Sequence, residues 1–287
     1  MRSRSLAASV AVVAGLYLAA AGHAVDGVIE INQAKALAGD VTPGDAPGFP
    51  VSLTVGGSYR LTSDLTVADE NAHGIVLSPG VGPDEFDIDL NGFTVAGPVT
   101  CSFESSLSCT ANQSGVGRGI SGEGVLSLHD GTVRGFASIC VDVGGYGKYG
   151  HRLRNLQVKW CEWGIYANLA LVENIHTSFN RSEGMRSHFG TLRQIVSFRN
   201  GGDGISISVG SLEGCTSWFN EGDGVDDSGG SVIRGCALRQ NTLYGLNCTG
   251  SAKCGYGEVN FSDNVLGTVL NGIEIGKNVC GGTDTCP

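Results

Sequence analysis

The chain has 287 residues and a net charge of −10, which opposes nucleic acid and anionic membrane surfaces as partners. Forty-six glycines, seven prolines and 41% hydrophobic residues describe a globular, turn-rich chain, and at this length one domain is the expectation. Ten cysteines, six histidines and no CxxC pair argue against a zinc site and, in an exported chain, for disulfides.

Arg2 and Arg4 precede an apolar run over residues 6–21, and Gly22-His23-Ala24 supplies the small residues a signal peptidase needs. Residues 1–24 therefore read as a signal peptide, giving a secreted, periplasmic or cell-surface protein. An uncleaved anchor is the alternative, but the run falls short of the ~20 strongly apolar residues of a usual span. Residues 25–50 form an N-terminal segment. Within it the Ala- and Leu-rich stretch 31–38 is the best helix, expected to cap the open strand edges of the first coil.

Residues 51–287 carry a repeat. Gly164, Gly184, Gly204, Gly224 and Gly245 recur about every 20 residues, each followed by an apolar residue: Ile165, Met185, Ile205, Val225, Leu246. Asparagines precede most of them at Asn180, Asn200, Asn220 and Asn241, with Asn264 continuing the series. A third column reads Leu156, Ile175, Ile195, Cys215, Cys236, and a fourth, Arg154, Glu173, Arg193, Glu213, Arg234, alternates in sign. Short period-two runs broken by Gly, Ser and Asn are strands and turns, and three per 20 residues make one coil of a solenoid. Gly74-Ile75, Gly119-Ile120 and Gly272-Ile273 open further coils, with long insertions at 78–86, 97–118 and 144–152. The expectation is an all-β, right-handed parallel β-helix of about eight or nine coils with a short N-terminal capping helix. Trp160, Trp163, Trp218, Phe179, Phe198 and Phe219 fall at coil-equivalent positions and read mostly as core.

Three segments, Asn200-Gly201-Gly202-Asp203-Gly204-Ile205, Asn220-Glu221-Gly222-Asp223-Gly224-Val225 and Asp89-Leu90-Asn91-Gly92-Phe93-Thr94-Val95, give the chain its family likeness. It resembles the pectin-lyase-like, right-handed parallel β-helix repeat proteins over about residues 51–280. That family includes pectate lyases, polygalacturonases and alginate-modifying enzymes, so the resemblance implies an extracellular polysaccharide partner. Polygalacturonase-like members carry N-T-D, D-D and G-H-G motifs. Here Asn200 to Asp203 only loosely matches the first, Asp226-Asp227 is the Asp-Asp pair, and no Gly-His-Gly occurs.

Two constellations could carry chemistry. Glu183, Asp203 and Asp223 form an acidic column, with Asp226 and Asp227 a short strand away; turn closure, calcium binding by Asp203, Asp223, Asp226 and Asp227, and acid–base catalysis all remain open. Calcium is the one cofactor this suggests. The second is the 144–152 insertion. Lys148 and Arg152 suit neutralisation of a substrate carboxylate, and Tyr149 or His151 proton removal, as a polysaccharide lyase needs. Tyr146, Arg154 and Trp163 would contact the sugar, with the 97–118 loop as groove wall; an ordinary surface turn is the alternative. The functional expectation is a secreted protein that binds an acidic polysaccharide, with lyase-type cleavage favoured over hydrolysis if it is an enzyme. The rival is a non-catalytic surface or structural rod.

The cysteine spacing suggests local pairs Cys101–Cys109, Cys248–Cys254 and Cys280–Cys286. Cys215 and Cys236 share a column of adjacent coils, about 4.8 Å apart and within disulfide reach of about 4.4–6.8 Å. Cys140 and Cys161 pair by elimination.

Overall fold

A computed structural model describes residues 27–79, 85–103, 107–110, 115–145 and 148–281; the signal-peptide segment 1–24 lies outside the described residues. The chain winds as a parallel β-solenoid of two stacked sheets, sheet A and sheet B. Sheet B stacks ten strands, from Val51–Leu53 to Gly267–Leu270, all parallel, about one turn more than the repeat count suggested. Sheet A is bent into two strips. In the middle coils one continuous strand crosses both, as in His151–Lys159, Ala170–Ser178 and Thr191–Phe198. The bend falls on a left-handed residue: Asp130, Asn155, Asn174 and Gln194 all have φ between 52° and 60°. Asn and Asp tolerate that region best among residues with a Cβ.

Sheet A begins at Val28–Ile31, which pairs with Gly57–Leu61, so the stretch expected to be helix from residue 31 starts later. Helix α1 is Gln33–Ala38, capped by Asn32, whose side chain accepts from Lys35 N. Ala36 is fully buried and Gln33 bonds Thr66, so α1 closes the N-terminal end of the core. No described helix is long and apolar enough to cross a membrane.

The stacking follows the columns read from the sequence. Ile165, Met185, Ile205, Val225 and Leu246 are in register and buried. Asn180, Asn200, Asn220 and Asn241 form a ladder at the turn after the second strip. Asn200 Oδ1 accepts from Asn180 N (3.1 Å) and Asn180 Nδ2 (2.9 Å), and the same pair of hydrogen bonds joins Asn200 to Asn220, Asn220 to Asn241 and Asn241 to Asn264. The turn's backbone N–H groups thus find acceptors in a dry interior, where an orphaned donor costs about 1–3 kcal/mol.

Outside, the charge column is longer than the repeat alone shows. Glu30, Arg60, Asp89, His129, Arg154, Glu173, Arg193, Glu213 and Arg234 stand in one register. Arg60 meets Asp89 at 3.1 Å, and Arg193 meets Glu173 at 3.3 Å and Glu213 at 3.7 Å. These exposed pairs add little individually; their alternation avoids stacking like charges a strand apart.

Disulfides join Cys101–Cys109, Cys140–Cys161, Cys215–Cys236 and Cys248–Cys254. Cys280 is also disulfide-bonded, and its expected partner Cys286 lies outside the described residues. Such a set belongs to an oxidising, non-cytoplasmic compartment.

The ladder can be tested directly. Asn220→Ala removes the acceptor of Asn200 N and of one Asn200 Nδ2 hydrogen, the other still bonding Ser197 Oγ, and is expected to lower unfolding stability by about 2–4 kcal/mol, read from the urea midpoint. Glu213→Ala, which touches only the exposed charge column, is expected to cost under about 1 kcal/mol.

Candidate functional site: an aromatic and cationic corner

The corner that comes after the second strip of sheet A is narrow inside. Thr177, Ser197 and Ser217 occupy its inward positions and are fully buried. Ser197 Oγ donates to Gly204 O (2.8 Å) and Ser217 Oγ to Gly224 O (2.7 Å), across to sheet B. A Cβ on Gly184 would sit 2.6 Å from the Ser197 and Thr177 oxygens, and one on Gly204 would press still closer on Ser217 Oγ. The repeat glycines are therefore required by the approach of the two sheets. With only hydroxyl-sized residues inside, period-two alternation puts the large residues outside.

Phe198 and Trp218 accordingly point outward, in register with Arg134, Lys159, Ser178 and Arg239. This corrects the expectation that these aromatics are core. Beside them runs the corner column Trp160, Phe179, Arg199 and Phe219, all left-handed at φ 51° to 63°. Bulky side chains are unusual there. The rings pack on one another: Phe179–Phe198 at 5.5 Å between centroids, Phe198–Trp218 at 5.2 Å, and Phe219 at 6.1 Å from both Phe198 and Trp218. Lys159 and Arg134 lie over the Trp160 ring at 4.9 and 5.3 Å, and Arg199 over Phe198 and Phe219 at 5.0 and 5.7 Å. Phe219 is 41% exposed and the others are half-buried. A ribbon of stacked rings and cations therefore runs along four coils.

The 97–118 insertion leaves from the same corner, two coils nearer the N-terminus. Gly97 N bonds Arg134 O and Val99 N bonds Gly135 O; the hairpin Cys101–Phe103 and Leu107–Cys109 then stands off, tied by its disulfide. Gly115 on its return joins Ala137, Ser138, Glu162 and Arg181 around a shallow depression of about 580 Å³. Glu162 and Arg181, which form an ion pair, lie two residues beyond Trp160 and Phe179. The ribbon thus ends at a depression beside the hairpin.

Among the described residues expected from the 144–152 insertion, the side chains face different ways. In His151–Lys159 inward and outward residues alternate. Arg152 and Arg154 are exposed, whereas His151 is turned into the core at 2% exposure. Its Nδ1 accepts from Leu126 N at 3.2 Å, and burial holds its pKa below the usual imidazole value. Tyr149 is 71% exposed, Lys148 is half-buried, and Tyr146 lies outside the described residues. This insertion comes after a sheet B strand, whereas 97–118 comes after the second strip of sheet A.

On sheet B the acidic column is partly assembled. Asp203 Oδ1 accepts from Asp223 N (2.7 Å); Asp223 accepts from Tyr244 N (2.7 Å) and Asn247 Nδ2 (2.8 Å); Asp226 accepts from Thr249 Oγ1 (3.1 Å). Asp227 is fully buried and faces inward, accepting from Gly230 N (2.7 Å) and Ser231 N (3.1 Å), so it caps the turn and does not join the other three. Glu183 pairs with Arg186, whose guanidinium lies 4.6 Å above the Trp163 ring. That places Trp163 on this face, away from the ribbon. Burial, with the Asp223, Asp226 and Glu183 charges adding to it against the Asp223 N–H bond, pushes the Asp203 carboxyl up to about 6, and burial also raises Asp226.

Among the described residues, one trio of imidazole and carboxylate donors lies within 4.8 Å mutually: Asp89, His129 and Asp130. Its atoms are already occupied. His129 Nδ1 meets Asp130 Oδ2 at 2.7 Å, Asn155 donates to Asp130 Oδ1, and Asp89 holds Arg60 and Asn91 N. The trio reads as part of the charge column.

No family model matches the chain, and no curated protein matches it. Among solved structures it is similar to the enzymatically active domain of tailspike protein 2 from bacteriophage CBA120, at 13% identity and a TM-score of 0.45, covering 81% of this chain and 37% of that one. Full-length tailspike protein 2 from Escherichia coli O157:H7 bacteriophage CAB120 gives 12% identity and a TM-score of 0.35, covering 81% and 30%. The chain thus spans about a third of those proteins. By its own topology it is a parallel β-helix repeat protein.

The carboxyl chemistry gives a pH test. Between pH 3.8, the ordinary carboxyl value, and about 6, folded Asp203 keeps a proton that the unfolded chain releases. Stability therefore falls as pH rises through that window. Asp203→Asn retains an acceptor for Asp223 N and removes the charge. It is expected to unfold at higher urea than the parent at pH 7.5, by about 1–3 kcal/mol, and with no gain at pH 3.5.

Proposed function

We propose that the protein is an exported solenoid that binds an acidic polysaccharide along the aromatic and cationic corner. The observation that carries this reading is the ribbon itself: Trp160, Phe179, Phe198, Trp218 and Phe219 interleaved with Arg134, Lys159 and Arg199 at one-coil intervals. Flat rings offer apolar faces to the C–H faces of sugars, and guanidinium and ammonium groups pair with carboxylates. A coil rise of about 4.8 Å repeats that pair of functions along a straight line, which suits an extended polymer better than a small molecule. Three of the aromatics stand at left-handed corners where Asn would be less strained, so their rings do something there that the backbone does not ask for.

The reading is binding without β-elimination. Of the two residues at the 144–152 turn suited to take a carbon-bound proton, His151 has its ring in the core and Tyr149 stands exposed, away from the ribbon's rings and cations.

Phe179→Asn with Phe219→Asn keeps the left-handed backbone and deletes two rings. This double variant is expected to fold and to weaken polygalacturonate binding by about ten-fold or more, at about 0.5–1.5 kcal/mol per aromatic contact. Lys159→Ala should flatten the salt dependence. No unsaturated sugar ends should appear in absorbance. If these variants bind as the parent does while Lys148→Ala and Arg152→Ala lose binding, the site is at the 144–152 turn. No binding by any form leaves the rigid rod.

A further inference from the structure

Among the described residues, two buried acceptors on the outer face of sheet B have no hydrogen-bond partner, Ser206 Oγ and Asn247 Oδ1. Ser206 is 7% exposed although it points outward, covered between Arg186 and Asp226, its neighbours in the ladder. Arg186 does not serve it, since its guanidinium is taken by Glu183 and Trp163. Asn247 stacks on Asp226 from the next coil and spends its N–H on Asp223. Asp203 enters from the turn three residues before Ser206; a Cβ on Gly222 would collide with its Oδ1, so glycine there makes room for this carboxylate. Hydrogen bonds hold one oxygen of Asp203 and one of Asp226, leaving the second oxygen of each.

We propose that this face binds a calcium ion, with the Asp203 and Asp226 carboxylates, the Ser206 hydroxyl and the Asn247 amide oxygen as protein ligands. The donors are all oxygen, which selects a hard cation over zinc or copper. Calcium–oxygen bonds of about 2.3–2.6 Å set two ligands at most about 5 Å apart across the ion, close to the coil spacing of about 4.8 Å. Ser206 and Asp226, on adjacent coils, can therefore share one ion without a backbone shift, whereas Asn247, one coil beyond Asp226, reaches it only by extending its amide towards Asp226. Calcium accepts such irregular shells, whereas magnesium demands a near-ideal octahedron. The His129 trio differs in that its charges are already met by Arg60, Asn155 and each other. The calcium site is independent of the ribbon.

The test is calorimetric titration of the full-length protein, first stripped with chelator, using calcium chloride and magnesium chloride. Saturable one-site calcium binding is expected, about ten-fold or more tighter than magnesium, with a rise in melting temperature. Asp203→Asn and Asp226→Asn should each weaken calcium binding by about ten-fold or more while keeping the parent's circular dichroism without calcium. Ser206→Ala should weaken it several-fold, and Asp89→Asn should leave it unchanged. Absence of saturable calcium binding by the parent overturns the proposal. So does unchanged binding in folded Asp203→Asn and Asp226→Asn, or a loss confined to Asp89→Asn, which would move the ion to His129.

Discussion

From Asn200 onward, each asparagine in the turn ladder receives two N–H groups from the asparagine of the coil before it, one from the backbone and one from the side chain. Both donors come from the same residue and both reach one oxygen, so the asparagines stay aligned and added residues are absorbed elsewhere in the coil, as in the longer steps from Asn220 to Asn241 and from Asn241 to Asn264. Along these coils the other columns keep the same register. Apolar residues meet apolar residues on sheet B, Arg193 meets Glu173 and Glu213, and Cys215 meets Cys236.

The same tight packing decides what the corner presents to solvent. Asn200 Nδ2 and Asn220 Nδ2 also donate to Ser197 Oγ and Ser217 Oγ, each at 2.9 Å, which fixes small hydroxyls inside and draws sheet B close enough to demand glycine. Alternation then sends Phe198 and Trp218 outward. Ring contacts between neighbours stabilise the exposed stack, and cations over the ring faces add to it. One interior hydrogen-bond network thus generates both the rod and the surface that the glycan reading depends on.

The solenoid is legible in the sequence because its signals are periodic. The glycine, asparagine and aliphatic columns recur at nearly constant spacing from residue 156 onward, where turns are short. The N-terminal half of the charge column is hidden, since long insertions separate Arg60, Asp89, His129 and Arg154 and no fixed period links them. The aromatic corner is obscured for a different reason. Hydrophobicity places Phe and Trp inside, and the contrary signal, Thr177, Ser197 and Ser217 one strand position before the outward column, is informative only once the closeness of sheet B is known. His151 misleads because the strand's starting phase, which decides whether 151 or 152 faces inward, depends on its pairing with Val125–Arg134. Asp227 beside Asp226 is the same parity effect.

Three tryptophans allow the central claim to be read in one spectrum. Trp160 and Trp218 belong to the ribbon, while Trp163 sits under Arg186 on the other side of the turn. In a nitrogen–proton correlation spectrum of labelled protein, adding a uronate oligosaccharide is expected to shift the indole resonances of Trp160 and Trp218 in a saturable way and leave Trp163 in place. A shift confined to Trp163, or none in any indole while the oligosaccharide binds, would contradict the account.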